Sequence, residues 1–73
     1  MQLSAPRRTP VLVNGEPAAT AAATLAELLS DLGYAEGQVA TALNGEFVAR
    51  RARAETKLAA GDKVEIVAPR QGG

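Results

Sequence analysis

The hydrophobic pattern of the chain is clearest between residues 24 and 33, where leucines recur at helical spacing. The four leucines fall at positions i, i+3, i+4 and i+7 and so lie along one stripe of a helix: Leu25, Leu28, Leu29 and Leu32. Thr24 and Glu27 have the spacing of a capping box, in which both side chains accept hydrogen bonds from free amides at the start of a helix. Gly33 suits the left-handed conformation at its end. The pattern predicts one amphipathic helix with its leucine stripe in the core.

Apolar segments on either side of this helix have the pattern of strands that end in hairpin turns. Each segment stops at an Asn-Gly pair, within the similar phrases Val13-Asn14-Gly15-Glu16 and Leu43-Asn44-Gly45-Glu46. Asn-Gly is the dipeptide best suited to a two-residue hairpin turn, because both of its positions need a positive φ. We interpret the two phrases as shared turn chemistry. They predict a short second strand within residues 16–23 and a return strand over residues 46–49.

The order of the predicted elements indicates the fold class. Residues 64–67 alternate as a last strand, with Val64 and Ile66 facing the core. A hairpin, a helix, a second hairpin, a loop and a last strand together predict an α+β fold, in which a mixed sheet packs on one main helix. If the first and last strands are neighbours in the sheet centre, the tail leaves from a rigid platform. We expect a flexible extension over residues 1–9, the domain over residues 10–67 and a flexible tail over residues 68–73.

The composition excludes several classes of function. The 73 residues fit one domain with a small core. Because the chain has no cysteine and no histidine, it has no disulfide, no thiolate or imidazole metal ligand and no histidine base. Eight basic and eight acidic residues cancel, which argues against nucleic acid or a membrane as the partner. We therefore expect neither self-contained catalysis nor a bound metal, and we expect a protein partner.

The sequence shows neither a membrane-spanning segment nor a secretory signal, and this bears on the location of the protein. No run of about 18 apolar residues is present, and residues 1–10 lack the apolar region of a secretory signal. A cytoplasmic protein is the expectation.

The chain ends in Gly72-Gly73, and a glycine pair with nothing after it cannot make a turn. Two residues without Cβ atoms fit a channel about one backbone wide, and residues 68–73 would extend roughly 20 Å. The sequence therefore predicts that the tail delivers the Gly73 carboxylate into the active site of another protein. The alternative is a frayed end or a cloning remnant.

Four segments and the terminal glycines form a specific combination. The segments are Val11-x-Val13-Asn14-Gly15-Glu16, Thr24-Leu25-Ala26-Glu27-Leu28-Leu29, Ala42-Leu43-Asn44-Gly45-Glu46-Phe47-Val48-x-Arg50 and Leu58-x-x-Gly61-Asp62-x-Val64-Glu65-Ile66-Val67. In this order and spacing they resemble the ThiS family of thiazole-biosynthesis sulfur carriers, which implies a β-grasp, ubiquitin-like fold. The chain departs from the family in its residues before Pro10, in its alanine-rich second strand and in Arg70, where an apolar residue is frequent.

The resemblance implies a protein co-substrate and not an enzyme. A ThiF-type, E1-like adenylating enzyme would use MgATP to activate Gly73, and sulfur from a cysteine desulfurase or sulfurtransferase would then replace AMP. Thiazole synthase ThiG would accept the sulfur of the resulting thiocarboxylate. Gly72, Gln71 and Arg70 would thread the tail into these partners, and the carrier itself would bind no cofactor.

Three alternatives stay open at this point. The molybdopterin-synthase small subunit is a Gly-Gly carrier of the same fold, although its last strand commonly carries aromatic residues and Val64-Glu65-Ile66-Val67 has none. Another Gly-Gly sulfur carrier or a ubiquitin-like modifier would have a similar tail. An inert β-grasp interaction domain would make no chemical use of the tail.

Two further features have both a structural and a functional interpretation. Pairing across the second Asn-Gly turn puts Phe47 beside Ala42 on one face of the predicted sheet, and one of the two faces must be exposed. Phe47 is therefore either a core residue or an exposed residue that docks onto the E1-like partner. Arg50, Arg51 and Arg53 are interpreted as a solvated rim, with a basic patch for an acidic partner as the alternative.

Overall fold

A computed structural model describes residues 8–68 of the protein. Within this range the elements are β1 (Thr9–Val13), β2 (Glu16–Thr20), α1 (Leu25–Leu32), a 3₁₀ helix (Glu36–Gln38), β3 (Ala40–Leu43), β4 (Glu46–Val48), a second 3₁₀ helix (Arg50–Glu55) and β5 (Lys63–Val67). Residues 1–7 of the predicted extension and residues 69–73 of the predicted tail lie outside the described residues. No helix among the described residues is long and apolar enough to cross a membrane.

The strands form one mixed sheet in the order β2-β1-β5-β3-β4. The central pair, β1 and β5, is parallel, whereas the other neighbours are antiparallel. This arrangement confirms the predicted α+β fold with one main helix. The first and last strands, β1 and β5, are neighbours at the centre of the sheet.

Both predicted hairpin turns are present and have the backbone that Asn-Gly favours. Asn14 and Asn44 each have φ of 52°, and the glycines that follow have φ of 85° and 86°. A positive φ at both central positions matches the right-handed twist of the flanking strands. The turns therefore set the register of the β1–β2 and β3–β4 hairpins.

Helix α1 begins and ends where the sequence predicts. The Thr24 hydroxyl accepts a hydrogen bond from the Glu27 amide at 3.2 Å, and the Glu27 carboxylate accepts one from the Ala23 amide at 2.8 Å. The carboxylate thus reaches one residue further back than the simplest capping box would place it. Gly33 ends the helix with φ of 88°.

The core lies between α1 and the inner face of the sheet. It is built by apolar side chains from the helix, from the segment before it and from β5: Ala22, Leu25, Leu28, Leu29, Val64 and Ile66. The prediction for Val64 and Ile66 is confirmed, but the prediction that the whole leucine stripe is core is wrong for Leu32, which is 47% exposed. Leu32 lies in the last helical turn, where it faces the alanines of the β2 edge. Their short side chains do not cover it.

Candidate functional site

The tail that carries the predicted site residues begins at the end of β5. Arg70, Gln71, Gly72 and Gly73 lie outside the described residues, so the structure gives the root of the tail and not its tip. That root is the segment from Ile66 to Ala68, at the centre of the sheet.

On one side the root is held by β3. The antiparallel register pairs Thr41 with Ile66 and Ala40 with Val67, so the ladder continues to the last residue of β5. Pairing from Val64 to Val67 on this side keeps β5 extended up to the point where the tail starts.

On the other side the root is held by a side chain. The Ile66 amide donates to Oδ1 of Asn14 at 2.8 Å, and Nδ2 of Asn14 donates to the Ile66 carbonyl at 3.2 Å. We call this pair of hydrogen bonds the Asn14 clamp. Because β1 turns away at Asn14, the amide of the turn residue takes the place of a further strand residue beside β5.

The second turn asparagine has a corresponding position at the start of β5. Oδ1 of Asn44 accepts from the Lys63 amide at 2.9 Å, and Nδ2 of Asn44 donates to the Asp62 carboxylate at 3.0 Å. The two Asn-Gly turns therefore hold the two ends of the same strand. Sequence reasoning missed this function of the asparagines, although the repeated four-residue phrase was the signal that could have indicated it.

The side of the sheet that points away from α1 carries two exposed apolar side chains next to the root, Phe47 and Val67. Register places Phe47 and Glu65 on either side of Ala42, and Val67 beside Ala40. Phe47 is 73% exposed and Val67 is 63% exposed, while the alternate residues of the same strands face the core. We call these five residues the outer face. The sequence left Phe47 between core and surface, and the structure places it at the surface.

The arginine cluster does not have the arrangement predicted for a solvated rim. Arg50 and Arg51 are exposed, but Arg53 is only 3% exposed. Its Nε donates to the Thr41 hydroxyl at 3.0 Å and its Nη2 donates to the Val39 carbonyl at 2.7 Å. The second 3₁₀ helix turns this side chain inward below β3, so Arg53 is part of the interior. The alternative of one basic patch made by all three arginines is wrong for the same reason.

Among residues 8–68, no three carboxylates are grouped as they would be to hold a metal ion. The candidate site therefore consists of the Ile66–Ala68 root, the Asn14 clamp and the outer face.

Comparisons with known proteins agree on one family. The family model of the ThiS family matches residues 11–73. The crystal structure of the thiamine biosynthesis protein ThiS from Geobacter metallireducens is similar, with 36% sequence identity and a TM-score of 0.74 over 89% of this chain and 100% of that chain. An NMR solution structure of a thiamine biosynthesis protein from the same organism matches with 36% identity and a TM-score of 0.74, over 89% of this chain and 88% of that chain. A search of curated proteins found no match.

Proposed function

The chain belongs to the ThiS family, and from that premise we propose that it carries sulfur as a thiocarboxylate on Gly73 for synthesis of the thiamin thiazole ring. The absence of cysteine supports this assignment of the sulfur, since the chain has no thiol that could hold it as a persulfide. The match of the family model up to Gly73 supports it as well.

The Gly73 carboxylate needs activation before it can accept sulfur. A terminal carboxylate is ionised at neutral pH and is a poor acyl electrophile. In the proposed scheme a ThiF-type enzyme transfers AMP from MgATP to this carboxylate and releases pyrophosphate, which gives the acyl carbon a good leaving group. The terminal sulfur of the desulfurase persulfide then attacks the acyl carbon and displaces AMP, which gives an acyl disulfide. A thiol reductant supplies the two electrons that cleave its S–S bond and release the thiocarboxylate. Thiazole synthase receives the sulfur from the resulting thiocarboxylate.

The single observation that carries the proposal is the position of the tail root. It continues the central strand of the sheet, where β3 holds it on one side and the Asn14 clamp on the other. Residues 68–73 extended would span roughly 20 Å, enough to enter a partner's active site while the domain stays outside. Because Gly72 and Gly73 lack Cβ atoms, they can pass a narrow channel to the adenylating centre.

The outer face is the proposed docking surface for the adenylating enzyme. All of its residues except Glu65 are apolar, Phe47 and Val67 are strongly exposed, and through Val67 it is continuous with the tail root. A partner that covers this face would have the start of the tail at the edge of the same interface. Docking and delivery of the carboxylate would then occur in one complex.

Intact-protein mass spectrometry tests the proposed function directly. The full chain is incubated with a ThiF-type enzyme, MgATP, a cysteine desulfurase, cysteine and a thiol reductant, and we expect a gain of about 16 Da because sulfur replaces one carboxylate oxygen. Omission of ATP should abolish the gain. If the mass is unchanged in the complete mixture, while a known ThiS carrier gains sulfur under the same conditions, the proposal is wrong.

Replacing Phe47 with serine should weaken docking without unfolding the protein. A large aromatic residue at the centre of an interface commonly contributes enough that its loss raises KM about tenfold or more. We expect this increase in the KM for the carrier in the adenylation reaction, whereas the melting temperature should change little because Phe47 is 73% exposed.

The matched control for this substitution is Leu32→Ser. Leu32 is also an exposed apolar residue, but it lies on α1, on the other side of the sheet. Its replacement should leave the KM unchanged. Equal KM values for the Phe47 variant and the wild type would show that the partner does not use the outer face.

A further inference from the structure

We propose that Asn14 is a positioning residue for the Gly73 carboxylate, because its side chain aligns the root of the tail. This inference rests on the proposed function. It assigns to a residue in the first hairpin turn, far from the C-terminus in sequence, the task of aiming the reacting group.

The hydrogen bonds between β1 and β5 form a regular series that ends in a side chain. The Leu12 amide donates to the Asp62 carbonyl at 2.9 Å, and the Asn14 amide donates to the Val64 carbonyl at 2.8 Å. The next position of the series is filled by the Asn14 clamp on Ile66. Without the Asn14 amide group, the last β5 residue held from the β1 side would be Val64.

The loss of this support would change how the tail leaves the domain. Residues 65 to 67 would be paired on the β3 side only, so the end of β5 could twist or separate from the sheet. A tether that is longer and less well directed lowers the effective concentration of its end group at a fixed site. After docking, the Gly73 carboxylate would therefore reach the adenylating centre less often.

Asn44 provides a control with the same local geometry. Both asparagines have φ of 52°, both precede a glycine in a hairpin turn, and both use the side-chain amide to hold residues at an end of β5. Asn44 acts at the start of the strand, and Asn14 acts at the end that leads into the tail. A comparison of the two separates support of the fold from positioning of the tail.

The experiment compares Asn14→Gly with Asn44→Gly in the full chain. Glycine accepts a positive φ, and Gly-Gly is also suited to this type of turn, so each variant loses the side-chain hydrogen bonds while it keeps the turn. The rate of thiocarboxylate formation is measured by mass spectrometry over a range of carrier concentrations, below the melting temperature of both variants.

We expect kcat to fall about tenfold in Asn14→Gly, with KM within about twofold of the wild type because the outer face is retained. Asn44→Gly should keep the wild-type kcat, although we expect its melting temperature to fall by about as much as that of Asn14→Gly. Asn14→Asp keeps an acceptor for the Ile66 amide but cannot donate to the Ile66 carbonyl, and its kcat should be intermediate. Amide hydrogen exchange should accelerate at Ile66 in Asn14→Gly and at Lys63 in Asn44→Gly.

Two results would overturn the inference and leave the proposed function unaffected. They are a wild-type kcat in Asn14→Gly and an equal loss of kcat in both glycine variants. If Asn14→Gly does not fold, the test is made with Asn14→Asp. A wild-type kcat in Asn14→Asp, together with fast amide hydrogen exchange at Ile66, would overturn the inference. A wild-type chain that gains no mass in the complete mixture would instead overturn the proposed function, and the inference with it.

Discussion

Deletion of Gly73 is expected to abolish the gain of about 16 Da that marks thiocarboxylate formation, and to leave the melting temperature nearly unchanged. The new terminal carboxylate, on Gly72, would be displaced from the adenylating centre by about 3.3 Å, the length of one extended residue. A displacement of about 1 Å can already reduce a rate about 100-fold. The strands, the helix and the core end at Val67, so the deletion removes none of the hydrogen bonds described above.

Replacement of Gly72 tests the access path separately from the position of the carboxylate. Gly72→Val keeps the length of the tail but adds a β-branched side chain, which restricts the backbone and widens the segment that must enter the channel. We expect no detectable gain of mass with Gly72→Val. Gly72→Ala adds a single methyl group and should retain part of the activity.

The Gly73 deletion and Gly72→Val each have an outcome that would contradict delivery of the carboxylate through a narrow channel. A normal rate with Gly72→Val would mean that the tail does not pass through a narrow channel. A large fall in melting temperature in either the Gly73 deletion or Gly72→Val would mean that the tail packs on the domain. Circular dichroism of each variant, measured with the mass assay, distinguishes these results.

Local chemistry explains why much of the fold could be predicted from the sequence. The Asn-Gly pairs favour a positive φ at two successive positions, and both turns have it. Thr24, Glu27 and Gly33 determine the ends of α1 through hydrogen bonds within a few residues. In these cases the interaction that determines the structure lies inside the segment that carries the pattern.

The features that could not be predicted depend on contacts between distant segments. Asn14 and Ile66 are 52 residues apart in sequence, so the Asn14 clamp exists only once the parallel β1–β5 pair has formed. The exposure of Leu32 depends on the alanines of β2, which are too short to cover it. The outer face requires the register of three strands, although the position of Phe47 relative to Ala42 followed from the turn alone.

Arg53 is the clearest case, because a charged segment of this kind usually lies at the surface. Its guanidinium group donates to the Val39 carbonyl and to the Thr41 hydroxyl, and that hydroxyl donates in turn to the Val48 carbonyl at 2.9 Å. The side chain therefore joins the segment before β3, β3 itself and β4 beneath the sheet. No pattern within residues 50–55 indicates that these partners are near.

Arg53→Ala is accordingly expected to lower the free energy of unfolding by about 3 kcal/mol. The partly buried Val39 carbonyl would lose the hydrogen bond from Arg53, the Thr41 hydroxyl would lose one of its partners, and a cavity of the size of the arginine side chain would remain. The free energy of unfolding of a small domain is about 5 to 15 kcal/mol, so this loss is a large fraction of the total. Urea unfolding followed by circular dichroism measures it.

Arg51→Ala is the matched control, because it removes the same side chain from the same 3₁₀ helix at an exposed position. We expect its free energy of unfolding to stay within about 0.5 kcal/mol of the wild type. Arg53→Lys should give an intermediate loss, because one ammonium group cannot reproduce the two directions in which the planar guanidinium group donates. If Arg53→Ala is as stable as Arg51→Ala, water replaces the guanidinium group without cost, and the buried arginine does not hold β3 in place.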